Sequence, residues 1–169
     1  MITGTHAHDH DPRNDSVLIY INGELKPRPE AVVSVFDSGF LLGDGVWEGL
    51  RLHNGRVAFW REHLDRLFEG ATAIDISIGM TREELTSALY RTIEANGMHN
   101  GVHIRLIVTR GMKATPFQGT SANVGKPTLV VIPEFKDPAP ALRERGLKLF
   151  TVHVRRGRPD VQDPMWNSH

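Results

Sequence analysis

The densest run of residues able to do chemistry lies between Asp37 and Arg51. It reads Asp-Ser-Gly-Phe-Leu-Leu-Gly-Asp-Gly-Val-Trp-Glu-Gly-Leu-Arg. Four glycines within residues 39–49 are too many for a stable helix interior. They suit a backbone that bends sharply or lies close to a ligand. Trp47 and Glu48 follow, and a tryptophan there serves either as core or as the wall of a substrate pocket. Arg66 flanks the apolar stripe of an expected helix, where its guanidinium could offer a bidentate fork to a phosphate or carboxylate. The plainer alternative is a surface arginine paired with Glu62, one turn earlier. Arg105 sits mid-strand opposite the apolar side, with Ile107 sharing its face and suggesting partial cover. Arg155, Arg156 and Arg158 form a short basic cluster that reads as a solvated loop. His6, His8 and His10 alternate near Asp9 and Asp11, a spacing that could share a metal on one extended edge. Without a structured frame the tail reads as solvated, and no metal site is assigned.

Other chemistries lack their residues. There is no Walker loop, and Gly43-Asp44-Gly45 is not followed by the x-x-Gly of a dinucleotide fingerprint. No Gly-x-Ser-x-Gly elbow occurs. The chain has no cysteine, which excludes a disulfide scaffold, a thiolate nucleophile and a cysteine-ligated zinc site.

The elements that must position these residues follow from periodicity. An apolar run from Val17 meets Asn22-Gly23, which supplies the positive-φ pair of a tight hairpin. Residues 31–36 read as another short extended run. Residues 46–53 read as a strand, turned by Asn54-Gly55 into residues 56–60. Leu64, Leu67, Phe68 and Ala71 give the stripe of a helix over 61–74. Thr81-Arg82-Glu83-Glu84 fits a capping box, opening a second helix that Asn96-Gly97 closes. Residues 102–109 alternate as a strand, 126–133 contain a buried-strand run, and 147–154 read as a further strand. Two hairpins, two helices and then strands predict an α+β domain with a mostly antiparallel sheet. The expected organisation is a flexible tail over 1–16, an N-terminal α+β domain over 17–135 and a linker over 136–140. An incomplete start of a second domain follows over 141–169.

The whole chain supports a globular reading. It has 169 residues, 40% hydrophobic and 24% charged, and twenty basic residues balance twenty acidic ones. Nucleic acid and anionic membrane are therefore poor first guesses. No apolar run approaches the roughly 18 residues of a membrane span, and the N-terminus has no apolar signal segment.

The run from Asp37 to Arg51 resembles the signature of the class IV, fold-type IV pyridoxal-phosphate enzymes. These include branched-chain aminotransferases, D-amino-acid transaminases and aminodeoxychorismate lyases. The likeness continues through Tyr-Ile-Asn-Gly-Glu at 20–24, Asn54-Gly55, Arg-Glu-His-Leu-Asp-Arg-Leu at 61–67 and Ile-Arg-Leu-Ile-Val-Thr-Arg-Gly at 104–111. It implies pyridoxal 5'-phosphate as cofactor, with Arg66 anchoring the phosphate. It implies substrate-side places for Trp47, Arg105 and Leu42. It also implies an amino acid and a 2-oxo acid as substrates, a homodimer and a cytoplasmic enzyme. Gly43-Asp44-Gly45 looks more like the D-amino-acid and lyase branch, and Trp47-Glu48-Gly49-Leu50-Arg51 more like the branched-chain branch. The arginine and histidine that bind carboxylate in D-amino-acid enzymes are missing from 112–118. The family's chemistry requires a lysine in Schiff-base linkage to the cofactor. Lys148 matches no such position, and the resemblance places that lysine beyond His169. The expected function is thus a transaminase represented by its N-terminal portion. The alternatives are a lyase that eliminates pyruvate and a non-catalytic binding or assembly module.

Overall fold

In the computed structural model, residues 10–137, 144, 146 and 148–153 are described. The first hairpin pairs β1 (Leu18–Ile21) with β2 (Glu24–Pro27). Its turn holds Asn22 at φ 49° and Gly23 at φ 104°, the left-handed pair a tight hairpin requires. A short helix, α1 (Ser38–Leu42), leads into β3 (Gly45–His53) and a brief β4 (Arg56–Val57). Two longer helices, α2 (Trp60–Ala73) and α3 (Arg82–Ala95), precede β5 (Val102–Thr109) and β6 (Thr128–Phe135). The described strands form one antiparallel sheet in the order β2-β1-β6-β5-β3-β4. This is the expected α+β architecture.

One face of the sheet carries the core. Leu50 and Leu52 on β3, Ile104, Leu106 and Val108 on β5, and Val131 on β6 are almost fully buried. They join Leu64, Leu67 and Ala71 of α2 and Leu85, Ala88, Leu89 and Ile93 of α3 in one apolar cluster. The helices therefore cover one face with the stripes that their periodicity predicts. The predicted capping box is complete: Thr81 Oγ1 accepts from Glu84 N at 3.1 Å, and Glu84 Oε2 accepts from Thr81 N at 2.8 Å.

Several local expectations differ from the structure. The glycine-rich run does begin with a helical turn, because Asp37 caps α1 through Gly39 N at 2.8 Å. Gly43 then ends it at φ 67°. Residues 31–36 form no strand; Val32 and Val35 are exposed there. The second hairpin returns over two residues only, since Trp60 already starts α2. Within the segment expected to be a tail, Asn14 is buried, donating to Phe135 O at 2.9 Å and accepting from Phe135 N at 2.8 Å. His10 bonds Asp15 at 2.9 Å, while His6 and His8 lie outside the described residues. Lys136 and Asp137 are described, but the rest of the expected linker and Arg155, Arg156 and Arg158 lie outside. The strand expected over 147–154 is not formed at the described residues 148–153, where Leu149 and Phe150 are exposed. A strand needs a neighbour for its backbone groups, and no described strand pairs there. Among the described residues, no helix is long and apolar enough to cross a membrane.

Leu106 lies at the centre of the buried face with no exposed surface. Leu106→Ala is expected to lower unfolding free energy by about 2–5 kcal/mol, read by urea denaturation. A loss below about 0.5 kcal/mol would contradict this placement of the core.

Candidate functional site

Strand β3 sets the geometry. Its neighbour β5 pairs with it from Gly45↔Thr109 to Leu52↔Val102. No described strand pairs with its other edge between Gly45 and Leu50, because β4 reaches only Leu52 and His53. Gly45 is required here: a Cβ would lie 2.6 Å from Val108 O, too close for the ladder to form. Successive side chains on a strand point to opposite faces. Glu48 therefore joins Leu50 and Leu52 on the helix side, and Trp47 stands on the open side.

On the helix side, Glu48 is only 2% exposed. Its Oε1 accepts from Arg66 Nε at 2.7 Å, and its Oε2 accepts from Arg66 Nη2 and from His63 Nδ1, the latter at 2.7 Å. His63 and Arg66 sit three residues apart on α2, on one helix face. Burial pushes the Glu48 pKa up, but the hydrogen bonds from Arg66 and His63, with their charges, outweigh it and hold the carboxyl below its ordinary value. The hydrogen bond to Glu48 raises Arg66 further, against a smaller opposing effect of burial. Arg66 thus pairs with Glu48 rather than Glu62. Its side chain is still 69% exposed. A guanidinium has five N–H donors; two bond Glu48, so three remain for an anion. These residues fit a phosphate group.

On the open side, the Arg105 guanidinium stacks over the Trp47 ring at 3.9 Å from its centroid. Trp47 is 54% exposed. It lines a hollow of about 530 Å³ with Ile19, Ile21, Val33, Phe40, Ile107 and Val130 among its walls. That volume lies within the range of small-molecule sites, about 300–1,000 Å³. His103, one strand position on the same face from Arg105, has its pKa lowered by burial and then by the charges of Arg51, Arg105 and Lys136, which outweigh Glu134. This end of the open face favours an anion.

The structure thus brings Trp47 and Arg105 into contact and puts Arg66 around the same strand on the other face. Leu42 ends α1 half-buried and is not among the walls of the hollow, where Phe40 stands; Arg105 is not a wall either and meets the hollow only through its contact with Trp47. The residues that the sequence reading did not assign are Glu48, His63 and Phe40. The signal for the first two was present: an acid at an apolar-parity position of β3, and a histidine three residues before an arginine on a helix. Asp44 and Arg110 form a further paired brace. Arg110 Nε donates to Asp44 Oδ2 at 2.7 Å, and the same guanidinium donates to the carbonyls of Ile74 and Asp75 at 2.7 Å each. It ties the glycine-rich turn to the end of α2.

Comparisons agree on one family. The model of the amino-transferase class IV family matches residues 45–166. Branched-chain-amino-acid aminotransferase-like protein 1 of Arabidopsis thaliana is 42% identical over 152 residues, which is 90% of this chain and 27% of that protein. D-alanine aminotransferase of Listeria monocytogenes is 38% identical over 95 residues, covering 56% of this chain and 32% of that protein. The structure of a T.th. branched-chain amino acid aminotransferase complexed with N-(5'-phosphopyridoxyl)-L-glutamate superposes with a TM-score of 0.61. It is 26% identical and matches 70% of this chain and 40% of that one. The chain spans less than a third of the length of both curated relatives.

Because the native Glu48 carboxyl has a depressed pKa, the unfolded chain binds more protons as pH falls toward the ordinary carboxylate value. The stability it contributes is present above that value and is lost as pH falls through the native one. Glu48→Gln is therefore expected to cost about 1–3 kcal/mol near neutrality and progressively less in acid, measured by urea denaturation. A cost independent of pH would contradict the ionised, paired carboxylate.

Proposed function

Since the chain belongs to the amino-transferase class IV family, we propose that it forms the N-terminal portion of a pyridoxal-phosphate transaminase. The enzyme moves an amino group between an amino acid with a branched apolar side chain and a 2-oxo acid. The observation that carries this reading is the pairing of an anion anchor and a substrate wall across one strand. Adjacent residues Glu48 and Trp47 hold Arg66 on one face and Arg105 on the other.

Arg66 would hold the cofactor phosphate through its free N–H groups. When bound, pyridoxal phosphate supplies an electron sink that stabilises negative charge at the substrate α-carbon. Arg105 would face the substrate's carboxylate, since its guanidinium is always charged. Trp47 and the aliphatic walls of the hollow exclude water and receive an apolar side chain. The lysine that moves the proton would lie beyond His169. Exposed Val32, Val35, Phe36 and Phe40, within nine residues of one another, support a second copy of the chain as partner, because apolar side chains so spaced are normally covered. Within the same proposal the enzyme is cytoplasmic.

The test is a half-reaction with protein from the complete reading frame, loaded with pyridoxal phosphate and given one amino acid without an acceptor. L-Leucine should yield one equivalent of its 2-oxo acid and of pyridoxamine phosphate, faster than D-alanine does. Preference for D-alanine would move the chain to the D-amino-acid branch. Pyruvate released from 4-amino-4-deoxychorismate, a cyclohexadiene whose ring becomes aromatic as pyruvate leaves, with the cofactor unchanged, would identify a lyase, and no turnover of any of them would overturn the proposal. Arg105→Gln should raise KM for leucine about tenfold, the worth of one charge-assisted hydrogen bond, with a smaller change in kcat.

A further inference from the structure

The buried acid on β3 has no structural need to be an acid. Leu50 and Leu52 share its face and pack against α2 and α3, so an apolar residue at position 48 would extend the same core. A buried ion pair is weak evidence for stability, because desolvation offsets much of the attraction. Glu48 nevertheless has both oxygens of its carboxylate directed at two residues of α2. His63 faces it with Nδ1, which fixes the tautomer: Nδ1 carries the proton and donates to Oε2. With that proton in place, the 3.4 Å approach of Arg66 Nη2 to His63 Nδ1 is not a hydrogen bond. The only anchor for the Arg66 fork among the described residues is Glu48.

An exposed arginine samples many rotamers, and each must be given up when it binds. Two N–H groups held by a buried carboxylate remove most of that freedom before a ligand arrives. We propose that Glu48 is a positioning residue, locked by His63, that pre-sets the Arg66 guanidinium for a phosphate group. It acts through Arg66 and does not itself touch the phosphate. The inference rests on Arg66 as the phosphate anchor, so its test separates the two claims.

The experiment uses protein from the complete reading frame with two probes, pyridoxal 5'-phosphate and pyridoxal, which differ in the phosphate ester. Binding constants are measured by absorbance titration, and the Arg66 Nε–H resonance is followed by ¹⁵N NMR. In the wild type that resonance should be resolved and slow to exchange. Glu48→Gln should average it and weaken pyridoxal phosphate about tenfold, with pyridoxal unchanged. His63→Asn, whose amide N–H can replace Nδ1–H, should bind pyridoxal phosphate within about twofold of wild type, whereas His63→Ala should not. These histidine variants keep the test decisive if Glu48→Gln fails to fold, as a thermal melt would show. Equal weakening of both probes, or unchanged pyridoxal phosphate affinity in Glu48→Gln and His63→Ala, would overturn the positioning role. Arg66→Gln with unchanged pyridoxal phosphate affinity, or a wild type that takes up neither probe, would instead overturn the anchor. In that case the Arg66 resonance still reports whether Glu48 holds the guanidinium.

Discussion

A single carboxylate buried against a helix constrains the whole arrangement. Glu48 can be ionised inside the sheet–helix layer only because Arg66 and His63 reach it from α2. That pairing is met at the one height and rotation of α2 at which Leu64, Leu67 and Ala71 also pack against Leu50 and Leu52. It also fixes the register of β3, since a slip of one residue would turn Glu48 to the open face and Trp47 into the core. The ladder with β5 and the close approach at Gly45 enforce that register from the other side.

The two faces then acquire different chemistry from neighbouring residues. The helix face carries the apolar cluster and, at one point, an ion pair whose cation extends to solvent. The open face carries an apolar hollow beside the cations Arg51 and Arg105, which face His103. In the proposed reading, a ligand with a phosphate, a carboxylate and an apolar side chain would meet Arg66, Arg105 and the hollow around one strand. The Asp44–Arg110 brace holds the glycine-rich turn where both faces meet it.

Much of this was legible in the sequence because local rules govern it. The capping box at Thr81, the Asn22-Gly23 turn and the stripe through Leu64, Leu67 and Ala71 each depend on residues a few positions apart. The alternation over β5 placed Arg105 opposite the core correctly. What periodicity could not supply was pairing across the chain. Helix spacing offers Arg66 the Glu62 carboxylate, one turn away, whereas its partner is Glu48, eighteen residues earlier on a strand. The run over 31–36 has strand-like composition but pairs with no described strand, and composition alone cannot report that. The glycine count in 39–49 argued against a helix, yet Asp37 and Gly43 cap five residues between them. The substrate-side grouping of Leu42 came from resemblance, and the hollow has Phe40 among its walls in its place.

The central claim is that Arg66 and the Trp47–Arg105 wall belong to one cofactor-dependent site. It is tested most directly by borohydride reduction of protein from the complete reading frame with pyridoxal phosphate, followed by intact mass and peptide mapping. The account predicts one pyridoxyl-phosphate group per chain, on a lysine beyond His169, and sharply less labelling in Arg66→Gln. Labelling that is absent, or that spreads over lysines such as Lys113 and Lys148 and is indifferent to Arg66, would contradict it.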